Sequence, residues 1–282
     1  MCDTCGCNIT PGNRHLLKPV AKAPSLGSTP EQILGNLLSH NNRQAELNRA
    51  RLDRHGVLTI NLMSSPGSGK TALLEATIRQ RSETLRMAVI EGDLETENDA
   101  ERIRALGIPA YQITTGTACH LDAHLVEKAL DHLDLSSVDV LFIENVGNLV
   151  CPASFDLGHH RNVSLLSVTE GDDKPAKYPV MFRAADLMLI SKTDLQPYLP
   201  EFSPERAEQY LRDLASDAPC LRISAKNDAG LDQWFGWLDR EVRRYRERLG
   251  QGKTLTPRVQ PDGERRHRAA PQVRFVPVTK PT

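Results

Sequence analysis

The chain has 282 residues, of which 39% are hydrophobic and 25% are charged, and its formal net charge is −1. This length suits one enlarged α/β domain with appendages, and the composition excludes a wholly disordered chain. No apolar run reaches the roughly 18 residues that a membrane span needs, and residues 1–20 lack a secretory signal pattern. A net charge near zero gives no excess of basic residues of the kind that binds nucleic acid. We therefore expect a cytoplasmic protein whose partners include neither nucleic acid nor membrane.

The sequence pattern divides the chain into four parts. Residues 1–28 combine three cysteines with scattered prolines and glycines, which predicts a metal motif on a flexible tether. Residues 29–55 predict an amphipathic helix that leads into the core. Residues 56–250 alternate β-rich runs with helical stretches, which favours an α/β fold with a mostly parallel sheet flanked by helices. Residues 251–282, rich in proline and arginine, are predicted to be a disordered tail. The predicted strands are 57–63, 87–91, 110–113, 138–144, 163–168, 187–191 and 220–223.

A phosphate-binding loop follows the first predicted strand. Residues 64–71 read SSPGSGKT and lead into a helical stretch, which is the strand, loop and helix order of a P-loop NTPase. Backbone N–H groups of the loop bind phosphate oxygens, Lys70 reaches the β and γ phosphates, and Thr71 supplies a hydroxyl to Mg²⁺. Ser64 departs from the strict pattern, which has glycine there. The residues assigned to the phosphates and to Mg²⁺ in this segment are Gly67, Ser68, Gly69, Lys70 and Thr71.

Residues after two later strands predict that the base is guanine. Asp194 follows the sixth predicted strand, and the SAK segment that begins at Ser224 follows the seventh. A carboxylate at Asp194 accepts hydrogen bonds from the N1–H and the amino group of guanine, whereas adenine offers no such pair of donors. Ser191 stands where the usual guanine motif has asparagine, so the sequence departs from that motif at one side-chain contact to the base. The residues assigned to the base are Lys192, Asp194, Ser224, Ala225 and Lys226.

Acidic residues end two further predicted strands. Glu91 and Asp93 lie at the end of the second strand and Glu144 ends the fourth, three residues before Gly147. These positions suit Mg²⁺ coordination and γ-phosphate sensing. Asn148 occupies the position at which many GTPases carry the glutamine that orients the attacking water, so we expect slow hydrolysis. The residues assigned to catalysis are Lys70, Thr71, Asp93 and Glu144.

Soft metal ligands occur in the same domain. Cys119 and His120 follow the third predicted strand, and Cys151 lies four residues past Gly147. Thiolates and imidazoles bind ions such as Zn²⁺ and Ni²⁺, although an isolated cysteine is often a small buried hydrophobe. Three protein ligands are too few for a closed structural site. A second copy of the chain or solvent would have to complete the shell.

The N-terminal sequence CDTCGC is a second candidate metal site. Cys2, Cys5 and Cys7 place three thiolates within six residues, and removal of Met1 would add the α-amino nitrogen as a fourth ligand. A planar set of three sulfurs and one nitrogen suits Ni²⁺ better than Zn²⁺, which prefers a tetrahedron. Redox-active or incidental cysteines are the alternative.

Together these motifs resemble the HypB family, the GTPase accessory proteins for nickel insertion into nickel–iron hydrogenase. The segments CDTCGC, SSPGSGKT, EGD, GTACHLD, ENVGNLVCP and SAK occur in that order, over residues 1–7 and about 30–250. The resemblance implies a GTPase of the subclass that dimerises through bound nucleotide. It also implies partners: a second copy, the small nickel-binding protein HypA and the hydrogenase large-subunit precursor. The implied metal sites are high-affinity nickel at Cys2, Cys5 and Cys7, and nickel or zinc at the dimer interface on Cys119, His120 and Cys151.

Other functions stay open at this point. A metal-buffering protein with a vestigial nucleotide site is disfavoured because Lys70, Thr71 and Asp93 are intact. An unrelated P-loop kinase would need a pocket for the substrate that accepts the phosphoryl group, and no motif in the sequence indicates one. A nickel GTPase of the urease type would leave the CDTCGC start unexplained. We therefore expect a GTP-hydrolysing nickel metallochaperone with GTP or GDP, Mg²⁺ and Ni²⁺ or Zn²⁺ as its ligands.

Overall fold

A computed structural model describes residues 30–93, 98–116, 118–214 and 216–257. The motif with Cys2, Cys5 and Cys7 lies outside the described residues, as do residues 258–282 of the predicted tail. None of the helices in the described ranges combines the length and apolar composition that crossing a bilayer requires.

Seven parallel strands form the central sheet, as the sequence predicts. The strands are β1 (Leu58–Ser64), β2 (Met87–Asp93), β3 (Ala110–Thr114), β4 (Val140–Glu144), β5 (Arg161–Ser167), β6 (Leu187–Ser191) and β7 (Cys220–Arg222). Their order across the sheet is β3-β2-β4-β1-β5-β6-β7, and every neighbouring pair is parallel. The observed ends differ from the predicted ones by two residues at most. Because β1 lies between β4 and β5, the loop after it opens at the middle of the carboxyl edge, where α/β sheets bind their ligands.

Helices cover both faces of the sheet. Alternate residues of β1, such as Ile60 and Leu62, pack in one apolar cluster with Trp234, whereas Ile143 of β4 packs on the opposite face with Leu52. Such two-sided burial is expected for a parallel sheet, whose strands must be apolar on both faces. The helices are α1 (Pro30–His55), α2 (Lys70–Arg81), α3 (Asn98–Arg104), α4 (Ala123–Leu130), α5 (Lys174–Lys177), α6 (Pro179–Ala184), α7 (Pro204–Asp213) and α8 (Leu231–Gly250).

Helix α1 is fastened to the segment that precedes β5. The Asn48 side-chain amide donates to the Leu157 carbonyl at 3.1 Å, and Arg49 forms a 2.6 Å ion pair with Asp156. Gly158 has a φ of +90°, and a Cβ there would lie 2.5 Å from Cβ of Asn48. Only glycine therefore permits this close approach, which anchors the chain between β4 and β5.

The packed part of the chain continues beyond α8. Leu255 is 4% exposed and belongs to the same apolar cluster as α8. Its neighbour Thr254 donates a hydrogen bond from Oγ1 to Oδ1 of Asp53 on α1 at 3.0 Å. Among the described residues, burial thus extends to Leu255, which lies inside the predicted tail of residues 251–282.

Candidate nucleotide and metal site

The phosphate-binding loop lies at the carboxyl end of the central strand. β1 ends at Ser64 and the 12-residue helix α2 begins at Lys70. Gly67 and Gly69 have φ values of +72° and +96°, a region in which a side chain is strained. This conformation turns the loop into the start of α2, where N–H groups without helical partners and the positive end of the helix dipole bind anions.

Two side chains behind the loop hold it in place. Ser191 donates from Oγ to the Ser68 carbonyl at 2.7 Å, so its hydroxyl fixes the loop rather than reading the base. The Glu170 carboxylate accepts from the hydroxyl of Ser68 at 2.6 Å and from that of Ser65. Sequence reasoning missed Glu170, although its position three residues after β5 puts it at the same carboxyl edge of the sheet.

A cavity of about 320 Å³ beside the loop collects the five residues assigned to the base. Asp194 accepts a 2.6 Å hydrogen bond at Oδ1 from the buried hydroxyl of Ser224, which orients the carboxylate. Lys192 has a left-handed backbone (φ +58°) and donates from Nζ to the Gly67 carbonyl at 2.6 Å. Its aliphatic stem therefore lies along the phosphate loop. The five residues are Lys192, Asp194, Ser224, Ala225 and Lys226.

Two buried glutamates lie side by side near the loop. The register of β2 and β4 pairs Glu91 with Glu144, and these residues are 2% and 3% exposed. Thr71 donates from Oγ1 to Oε1 of Glu144 at 2.9 Å. The Lys70 ammonium lies 3.8 Å from the same oxygen and donates to the Ser64 hydroxyl at 3.2 Å. The lysine and threonine assigned to the phosphates and Mg²⁺ thus contact the carboxylate assigned to catalysis.

Burial makes ionisation of both glutamates unfavourable. It is the main cause that raises the pKa of Glu91 to about 11, and the adjacent Glu144 raises it further. Burial also raises the pKa of Glu144, against the charge of Lys70, which lowers it. In each glutamate Oε2 has no hydrogen-bond partner among the described residues. Such orphaned carboxylate oxygens fit a hard divalent cation, which would satisfy them and favour their ionised forms.

The acidic group differs in one member from the set assigned by sequence. Carboxylate oxygens of Glu91, Glu144 and Asp99 all lie within 4.8 Å of one another. Asp93, the last residue of β2, is not in this group. Asp99 lies in the first turn of α3. Sequence reasoning missed Asp99 because no motif places the start of that helix beside the phosphate loop.

The three soft ligands of the domain also come together. The Cys119 and Cys151 sulfurs are 3.3 Å apart, and the Cys119 sulfur lies 3.7 Å from Nδ1 of His120. Cys119 and His120 precede α4, whose N-cap is Asp122. The His120 ring stacks on Phe155 at a centroid distance of 3.9 Å. Two thiols and an imidazole in this arrangement have the donor chemistry that binds Ni²⁺ or Zn²⁺.

One loop joins the glutamates to this cluster. It runs from Glu144 to Cys151, and a Cβ on Gly147 would lie 2.7 Å from Cα of Pro66 in the phosphate loop. The Asn148 amide donates to the Cys119 carbonyl at 3.1 Å, so the residue in the water-orienting position faces the metal ligands. The candidate nucleotide site and the candidate metal cluster are therefore joined by one short segment.

Comparison with known proteins identifies the fold and its relatives. Residues 58–222 match the family model described as CobW/HypB/UreG, nucleotide-binding domain. A hydrogenase maturation factor HypB from Azotobacter vinelandii is 50% identical over 232 residues, which cover 81% of this chain and 76% of that protein. The chain belongs to the HypB family. The HypB of Escherichia coli K12 is 53% identical over 204 residues, 72% of this chain and 70% of its own length.

A solved HypB structure supports the same assignment. The crystal structure of HypB from Helicobacter pylori in complex with nickel superposes with a TM-score of 0.70 and 42% identity, and covers 73% of this chain and 96% of that one. The predicted P-loop fold and the resemblance to HypB are both confirmed.

Proposed function

We propose that this chain hydrolyses GTP and delivers nickel during the maturation of nickel–iron hydrogenase. The observation that carries the proposal is the loop from Glu144 to Cys151, which begins at a carboxylate beside the phosphate loop and ends at a metal ligand. The printed functions of the relatives, hydrogenase maturation and a complex with nickel, support it. A purely metal-buffering protein would have no need of the guanine cavity at Asp194.

The nucleotide chemistry follows from the residues at the carboxyl edge. Lys70 and the loop N–H groups would bind the β and γ phosphates. Thr71, Glu91 and Glu144 would hold Mg²⁺, with Asp99 beside them, and the ion would neutralise the charge that develops on the transferred phosphoryl group. Because the Asn148 amide donates to the Cys119 carbonyl, it is not free to orient the attacking water. Turnover without partners should be slow, on the order of 10⁻⁴ to 10⁻² per second.

The metal chemistry involves two sites. Cys119, His120 and Cys151 supply three ligands, so a second copy of the chain would complete the shell in a homodimer promoted by GTP. The N-terminal thiolates form a separate, tighter nickel site. We further propose that HypA and the hydrogenase large-subunit precursor are the cytoplasmic partners that exchange nickel with the chain. The N-terminal ligands are Cys2, Cys5 and Cys7.

Replacement of Asp194 by asparagine tests the identity of the nucleotide. The variant loses a charge-assisted pair of hydrogen bonds to guanine, so GDP should bind roughly 10- to 100-fold more weakly while ADP binding stays weak. Ser191→Ala is the matched control, because its hydroxyl bonds the phosphate loop and should affect all nucleotides alike. Titration of both variants with GDP and ADP measures the selectivity. Equal hydrolysis of ATP and GTP by the parent chain would contradict the guanine assignment.

A further inference from the structure

Asn148 bonds two chain segments that each carry a metal ligand. Its Nδ2 donates to the carbonyl of Cys119 at 3.1 Å, and its Oδ1 accepts from the N–H of Val150, the residue before Cys151, at 2.8 Å. Gly147, immediately before it, lies against the backbone of Pro66 in the phosphate loop. The Gly147–Asn148 segment thus links the phosphate loop to the chain segments that carry both cysteines.

A second asparagine holds the opposite end of the ligand dipeptide. Asn145 accepts at Oδ1 from the N–H of Leu121, the residue after His120, at 3.3 Å. It also donates from Nδ2 to Oδ1 of Asn61 on β1 at 3.1 Å and is 1% exposed, so it is bonded to the central sheet. Asn148 is half-buried, and its hydrogen bonds go to loop segments. A shift of the Gly147 loop would therefore move Cys119 and Cys151 through Asn148, while Asn145 holds the chain at Leu121 fixed.

We propose that Asn148 is a positioning residue that transmits the state of the phosphate loop to the Cys119, His120 and Cys151 cluster. An amide is suited to this task because it donates and accepts at once, whereas an aspartate cannot donate to the Cys119 carbonyl. The inference rests on the proposed function, because it requires that nucleotide and metal bind where the geometry places them. Coupling between two sites needs an element whose position both sites affect. The Gly147–Asn148 segment meets that requirement.

The experiment measures nickel affinity in two nucleotide states. The full chain with Cys2, Cys5 and Cys7 changed to serine is titrated with Ni²⁺ in the presence of Mg²⁺ and either GDP or a non-hydrolysable GTP analogue. The parent of this series should show affinities that differ by about fivefold or more, the lower end of typical coupling. Asn148→Ala should bring the ratio to within about twofold of unity while nickel still binds. Asn148→Gln, which keeps the donor and the acceptor, should retain part of the ratio.

A matched control removes the same kind of side-chain hydrogen bond to the backbone at another position. Asp134 accepts from the N–H of Ser136, two residues later, at 3.1 Å, just as Asn148 accepts from the N–H of Val150. Asp134 lies before the amino end of β4, away from the candidate sites. Asp134→Ala should keep the parent ratio. An undiminished ratio in Asn148→Ala would overturn the inference and leave the proposed function standing. Loss of nickel binding by Asn148→Ala in both states would also overturn it, because Asn148 would then only hold the cluster together. A ratio of one in the parent would overturn the proposed coupling itself.

Discussion

Replacement of Lys70 by alanine is expected to lower GTP hydrolysis by about 100-fold or more, the scale on which loss of one preorganised charge-stabilising group acts. Lys70 is 8% exposed, and its ammonium lies 3.8 Å from a carboxylate oxygen of the buried Glu144. Without it the developing charge on the phosphates has lost its fixed counter-charge. The two glutamates also take up protons more readily, because the charge of Lys70 lowers their pKa values.

The measurement is single-turnover GTP hydrolysis with saturating Mg²⁺ and an excess of protein. Lys253→Ala is the matched control, since Lys253 is exposed and lies beyond α8, outside the phosphate loop. The control should hydrolyse GTP at the parent rate. If Lys70→Ala kept more than about a third of the parent rate, the phosphate loop would not be the catalytic site.

Replacement of Cys151 by alanine is expected to weaken nickel binding at the buried cluster by about 100-fold or more. Loss of residues that merely support a metal ligand costs 10- to 100-fold in affinity, and this change removes one of three ligands. The variant should bind GDP as the parent does, because the Cys151 side chain is not among the groups that line the base cavity.

Cys220 supplies the control for that experiment. It lies on β7, and burial raises the pKa of its thiol to about 12, so it stays protonated and makes a poor ligand. Nickel titration of the full chain with serine at positions 2, 5 and 7 should give the parent affinity for Cys220→Ala. Parent affinity in Cys151→Ala as well would show that nickel does not use the cluster.

Much of the fold follows from the sequence, because the strands are buried on both faces and read as short apolar runs between helical stretches. The start of β5 was predicted wrongly, because the strand begins at Arg161 and not at residue 163. Arg161 and Asn162 are polar, yet they are buried because Arg161 pairs with Glu241 at 2.5 Å and Asn162 bonds Asn61 at 3.0 Å. A hydrophobic pattern does not report polar residues that are buried with their partners.

The sequence predicts those residues of the candidate site that belong to a motif, but not the other residues of the site. The phosphate loop and the base-reading residues meet because both follow parallel strands that end at one edge of the sheet. Glu170 and Asp99 belong to no local pattern, and the contact of Asn148 with Cys119 depends on which segments the fold brings together. The sequence spacing of Cys119 and Cys151 likewise leaves both buried cysteines and metal ligands open, and only the fold shows that their sulfurs lie 3.3 Å apart.

The central claim is that the nucleotide and metal sites are linked, and reciprocity gives its most direct test. If GTP changes nickel affinity, then nickel must change the preference for GTP over GDP by the same factor. The measurement is the affinity of the chain for GDP and for a non-hydrolysable GTP analogue, each with Mg²⁺, with and without Ni²⁺ on the Cys119, His120 and Cys151 cluster. We expect nickel to shift the ratio of the two affinities by about fivefold or more. A ratio that nickel leaves unchanged would contradict a delivery site switched by GTP.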